Sequence, residues 1–243
     1  MNIDQVKPVT ITDLWSGIQS DVSGANQLEV AAQALASAIH EQFQESVVLA
    51  RVFVTVDFDA LPASNQSFVR ELTKSSDTDL TGNVPVLSLV GTSGQESNWQ
   101  DRRKSEGHVG IPLISSDFVD AIPMISRLIK EMGVPMDWVD THESELIQKT
   151  IGQSEGLFFV TDAAEATDTE GRKIIAAQDF VNEYGVKSVF GVGTAYPSSQ
   201  LVVMVVFCRD GFSREAAENF LPLASLFKGA TGSLVEKGAI FSD

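Results

Sequence analysis

The chain has a single cysteine, Cys208, among its 243 residues. No intramolecular disulfide is therefore available, and the composition fits a reduced compartment. Histidine is also scarce. His40, His108 and His142 stand in neither an H-x-x-x-H nor an H-E-x-x-H pattern, which leaves no zinc-binding spacing. Basic residues are few, with 17 Lys and Arg against 33 Asp and Glu and a formal net charge of -16. Such a surface repels a phosphate backbone, because nucleic-acid affinity depends on Lys and Arg displacing counterions. An anionic membrane surface is disfavoured for the same reason. Long apolar runs are missing as well: the longest, Leu201 to Cys208, is far short of the ~20 residues a membrane helix needs. The opening residues, Met1 to Trp15, have neither the basic nor the apolar region of a secretory signal. These absences set the expectation of a cytoplasmic protein that binds neither nucleic acid nor membrane.

What is present is ordinary globular material, 43% hydrophobic and 21% charged. A chain of this length buries roughly 70% of its unfolded surface and needs no disulfide or metal for stability. The expected organisation is one domain over 1–243, with an N-terminal helical segment over 12–44 and a core over 45–228. In the helical segment Leu28, Ala32, Leu35, Ile39 and Phe43 recur at three- and four-residue steps, the stripe of an amphipathic helix.

Val47 to Val56 is β-branched and nearly continuously apolar, the first strand signal. Val84 to Val90 and His108 to Ile114 read as further strands, with a polar loop from Gly91 to Gly107 between them. Ser116 is placed to cap a helix running to Met132, and Pro123 kinks it or marks its true start. A polar helix is expected over Thr141 to Ile151. Gly156 to Val160 reads as a strand, Ala176 to Tyr184 as a short helix, and Lys187 to Tyr196 with Leu201 to Cys208 as an antiparallel hairpin. Ser213 caps a closing helix in which Pro222 is expected to bend the chain. The order does not alternate as in a doubly wound fold, so the fold class is α+β.

From Phe158 onward the pattern resembles the GAF domains of bacterial signalling proteins. The resemblance rests on Asp162, on Gln178-Asp179-Phe180-Val181 and Tyr184-Gly185-Val186-Lys187-Ser188-Val189, on Gly191 and Gly193, and on a hairpin ending Val206-Phe207. Arg214-Glu215-Ala216-Ala217 opens the closing helix. Upstream, Gly91-Thr92, Trp99, Asp101-Arg102-Arg103, Ser105, Gly107-His108 and Ile111-Pro112-Leu113 are also similar. The resemblance implies a GAF-like (PAS/GAF/profilin-like) antiparallel sheet of about six strands flanked by helices. It also implies a small-molecule ligand held between the sheet and the connecting helices on one face, and a homodimer through the terminal helices. No kinase, cyclase or DNA-binding module follows in this sequence, so the expected output lies in a separate protein or in the dimer.

The densest polar cluster is Asn98 to His108. Arg102 and Arg103 have the fork geometry to clamp a carboxylate or phosphate, with Trp99 stacking on a planar ligand. The alternative is a solvated loop whose arginines pair with the protein's own carboxylates. His108, near Asp101 and Glu106 in sequence, is a candidate acid–base group or a hydrogen-bonded structural histidine. Phe159, Asp162, Phe180 and Tyr184 complete the candidate ligand-binding set, as polar or aromatic groups flanking the predicted strands.

Gly91-Thr92-Ser93-Gly94 lacks the closing glycine of a nucleophile elbow. Gly191-Val192-Gly193 leads into a strand rather than a helix, so it makes no dinucleotide cradle and reads as a bend or close approach. The carboxylates from Asp162 to Asp168 do not follow a calcium-loop spacing. Cys208 ends an apolar strand and reads as core. A lone cysteine does not complete the internal disulfide relay used by GAF proteins that reduce free methionine sulfoxide. No haem, flavin, bilin or nucleotide motif is evident, and no catalytic or metal-binding residue is assigned. The reading is a non-catalytic sensory domain. The alternatives are an interaction module without ligand, and an enzyme using His108 with an acidic partner.

Overall fold

The computed structural model describes residues 1–74, 80, 82–142 and 155–242. Helices α1 (Pro8–Gly24) and α2 (Leu28–Gln42) precede strand β1 (Val47–Asp57). The helical segment expected over 12–44 is two helices, the first, which carries Trp15 and Ile18, starting earlier at Pro8. Proline at the first helical position costs no hydrogen bond, because that N–H has no intrahelical acceptor. The stripe expected on α2 is buried throughout.

Helix α3 (Ala63–Leu72) leads to β2 (Pro85–Gly94) and β3 (Gly110–Pro112). Three short helices follow: α4 (Ser116–Asp120), α5 (Pro123–Glu131) and α6 (Met136–Thr141). Ser115, not Ser116, caps α4, its side chain accepting from the Phe118 N–H. The run expected to reach Met132 is broken, and Pro123 begins α5. The helix expected over Thr141 to Ile151 falls largely in 143–154, outside the described residues. Strand β4 (Gly156–Val160), helix α7 (Gln178–Glu183), β5 (Ser188–Ala195) and β6 (Leu201–Cys208) come next. The chain closes with α8 (Arg214–Glu218), capped by Ser213, and α9 (Leu221–Glu236). Pro222 sits in the first turn of α9 and separates two helices rather than bending one.

The strands form a 6-stranded sheet in the order β3-β2-β1-β6-β5-β4. Every pairing is antiparallel, including the β5–β6 hairpin. Helices cover both faces, which is why the strands read as continuous apolar runs. Along β6, Val202, Met204, Val206 and Cys208 point into one core, shared with α1, α2, α3, α8 and α9. Leu201, Val203, Val205 and Phe207 point into the other, shared with α4 to α7. Cys208 is fully buried, as expected of a core cysteine.

Strand β2 continues through Gly91–Gly94, which the sequence reading placed in a loop. Two contacts explain the difference. A Cβ on Gly91 would lie 2.4 Å from the Ala32 carbonyl carbon, so only glycine lets α2 settle onto the sheet here. Strand β3 has ended at this level, and the Gln33 side chain takes its place. Its amide donates to the Thr92 carbonyl at 2.8 Å and accepts from the Thr92 N–H at 3.2 Å. Both backbone groups are thereby satisfied at an otherwise bare edge. Gly193 fits the expected close approach, since its Cβ would lie 2.4 Å from Met132 Cε.

Candidate functional site

Residues of β1 alternate between the two cores. Ala50, Val52 and Val54 face α1 and α2, while Leu49 and Phe53 face the other side. Arg51 lies between these last two and lines the same pocket, a charged side chain placed by strand periodicity on an apolar floor. That pocket has a volume of about 240 Å³. Leu49, Phe53, Leu87, Val205 and Phe207 form the floor, and Ile125 and Leu128 of α5 cover it. Ile174–Ala177 and Phe180 close a third side, with Trp99 and His108 at the mouth.

Arg51 is 8% exposed. Its Nη1 donates to the Gly107 carbonyl at 2.7 Å and its Nη2 to the Ser105 hydroxyl at 2.7 Å. These bonds fix the loop that carries His108. Its Nε has no partner. Among the described residues no carboxylate forms an ion pair with Arg51, and burial lowers its pKa to about 10.

His108 adopts a left-handed backbone conformation, φ 53°, which histidine enters more readily than most residues. Its position at the mouth leaves it exposed. Loss of hydration among surrounding atoms, and then the Arg51 charge, hold its imidazole below the ordinary value. Among the described residues no carboxylate bonds to it, so the acid–base pair with Asp101 or Glu106 is not assembled. Asp101 instead caps the turn at Arg102–Lys104 by accepting from the Arg103 N–H at 3.0 Å.

The structure brings Trp99, His108 and Phe180 together on one pocket. Tyr184 stands behind them, its ring centroid 4.8 Å from that of Trp99, and so supports the wall. The other candidates lie elsewhere. Arg102 and Arg103 reach to Glu29 on α2: Arg102 Nε donates to one carboxylate oxygen, and Arg103 Nη2 to the other at 2.9 Å. They pair with the protein's own carboxylate, the alternative left open by the sequence. Phe159 faces the opposite core, 5.5 Å from Phe212, because its neighbour Phe158 takes the pocket-side position on β4. Asp162 opens a turn, accepting from the Ala164 and Glu165 N–H groups at 3.0 Å each.

Arg51 was missed by sequence reasoning, although its signal was present: it is the one charge inside the apolar run Val47 to Val56. A second cleft, of about 480 Å³, lies between α5 and the Thr167–Arg172 loop. Its charges are internally matched, Lys130 to Asp120 at 2.7 Å and Arg172 to Asp168 at 2.7 Å. Among the described residues no group of three or more His, Cys, Asp or Glu is arranged to hold a metal. Nor is any helix among them long and apolar enough to cross a membrane.

Solved structures of GAF-type proteins match this architecture over nearly its whole length. The GAF domain of a phosphoenolpyruvate-protein phosphotransferase from Coxiella burnetii superposes with a TM-score of 0.52 at 12% identity, covering 97% of this chain and 100% of that one. Free methionine-R-sulfoxide reductase from Neisseria meningitidis, solved with its substrate, gives 0.51 at 14% identity, covering 96% and 95%. The fold is therefore that of a GAF domain, as the sequence resemblance implied. No family model matches the sequence, and no curated protein sequence matches it either.

Proposed function

We propose that the chain is a non-catalytic sensory domain, one unit over 1–243, that binds a small molecule in the pocket beneath α5 and α7. The observation that carries this reading is an open apolar cavity with a buried, incompletely bonded arginine in its floor. A module that served only as a packing surface would fill that space with side chains. The pocket also lies between sheet and connecting helices, where the GAF resemblance places a ligand.

A thiol-based reduction finds no support in this site. Cys208 is fully buried in the opposite core, and burial pushes its thiol well above the ordinary value. Output through a homodimer is part of the proposal. Helices α1, α2 and α9 gather the two ends of the chain on one face, where Val9 and Val30 stay exposed. A thermal-shift screen of small metabolites tests the ligand. A compound at about 100 times its Kd stabilises by about 2.7 kcal/mol. That raises the Tm of a chain this size by roughly 5–11 °C. A panel of several hundred metabolites with no such shift would sink the reading.

A further inference from the structure

We propose that the pocket selects a small monocarboxylate with an apolar body, its carboxylate held by the side chain of Arg51. This rests on the ligand-binding reading above and adds the chemical class of the ligand.

The argument begins with the donors of Arg51. A guanidinium has five N–H groups, of which the Gly107 carbonyl and the Ser105 hydroxyl take one each. The rest, including Nε, are unfilled among the described residues, although the side chain is buried. Burying a cation without a counter-charge is unfavourable, and an anionic ligand is the group that would offset it. The planar fork of Arg matches two oxygens on one centre, as in a carboxylate or a phosphate.

The walls discriminate between those anions. Phe53, Leu128, Ile175 and Phe180 offer no donor, and apart from Arg51 the polar side chains lining the pocket are Trp99 and His108, both at the mouth. A phosphate would leave oxygens facing hydrocarbon without partners, a costly arrangement. A carboxylate has two oxygens, and its single charge balances that of Arg51. Size narrows the class further. At about 30 Å³ per water-sized unit the cavity takes a body of roughly eight non-hydrogen atoms. Hexanoate and benzoate are of that size, whereas a linear tetrapyrrole is several times larger.

The test is calorimetric titration of the full chain with hexanoate and benzoate, each paired with a neutral counterpart, hexanol and benzyl alcohol. The carboxylates are expected to bind at least tenfold tighter than their counterparts. In Arg51→Met that preference disappears, with carboxylate affinity falling about 30-fold or more. Far-UV circular dichroism and melting confirm that the variant is folded. Should Arg51→Met not fold, Arg51→Lys, which keeps the charge and loses the fork, is expected to weaken carboxylates selectively. Val205→Trp, which fills the cavity, is expected to abolish binding of both classes. Equal binding of acids and alcohols by the wild type would overturn the carboxylate assignment while leaving the pocket a ligand site. Absence of binding by either class would overturn the assignment, and a negative metabolite screen beside it would remove the ligand-binding reading too. Inorganic phosphate binding more tightly than benzoate would also refute the carboxylate choice.

Discussion

Replacing Glu29 by Gln removes one negative charge while nearly keeping the shape of the side chain. Glu29 lies in the first turn of α2 and is 5% exposed. It accepts from Arg102 Nε, from Arg103 Nη2 at 2.9 Å, from the Ser242 N–H at 3.0 Å and from the Ser242 hydroxyl. Arg102 is 4% exposed, and its guanidinium carbon lies 4.7 Å from the centre of the Phe241 ring. In Glu29→Gln that buried guanidinium loses the charge of the Glu29 carboxylate. Breaking a buried pair by neutralising one partner costs about 3–5 kcal/mol. The half-exposed Arg103 adds little. For a chain of this length the loss corresponds to a Tm lower by roughly 6–20 °C.

The pH dependence of the same variant is a second check. Burial raises the Glu29 carboxyl pKa, but the bonds from Ser242 and Arg102 and the adjacent charge outweigh it, so the carboxyl lies below its ordinary value of 4.5. A carboxylate with a lowered folded value adds stability above its unfolded value and loses it as pH falls through the folded one. The difference between wild type and Glu29→Gln is therefore expected to be full at neutral pH and to shrink as pH falls below 4.5. Urea unfolding followed by tryptophan fluorescence at several pH values measures both quantities. A variant within about 1 kcal/mol of wild type at neutral pH would refute the reasoning, since surface pairs contribute no more than that.

Gly91→Ala is expected to destabilise by about 1–3 kcal/mol or more, because the added carbon meets backbone of Ala32 and Gln33 rather than a side chain that can turn aside. Gly232→Ala in α9 meets nothing within 4 Å and is expected to stabilise by up to about 1 kcal/mol; thermal melts compare the two. A carboxylate in the pocket favours the charged form of His108, so binding takes up a proton. Benzoate affinity measured by calorimetry is thus expected to be nearly flat above neutral pH, to rise as pH falls below about 6.5 towards the lowered His108 value, and to lose that rise in His108→Gln.

Much of the fold was legible because hydrophobic period and turn chemistry agree along the C-terminal third. Val189 to Ala195 and Leu201 to Cys208 are β-branched runs either side of a short turn, and they pair as expected. Ser213 caps its helix through a side chain that needs no distant partner. What escaped depended on partners far away in sequence. Gly91-Thr92-Ser93-Gly94 has the composition of a loop, and it becomes strand because Ala32 and Gln33 of α2 lie against it. Arg102 and Arg103 had the right chemistry for an anion clamp, yet Glu29, 73 and 74 positions away, occupies them. Phe159 was assigned to the pocket side, but the parity of β4 gives that place to Phe158. Arg51 is the converse case, a lone charge in a strand whose meaning appears only when the cavity above it is seen.

The claim that the cavity over Arg51 is a carboxylate site is tested most directly by a crystal structure of the protein grown with 4-bromobenzoate. Anomalous scattering is expected to place the bromine among the apolar side chains of the pocket, with both carboxylate oxygens within hydrogen-bond distance of the Arg51 guanidinium. A cavity holding only water at saturating ligand, or a bound ring whose carboxylate faces away from Arg51, would contradict it.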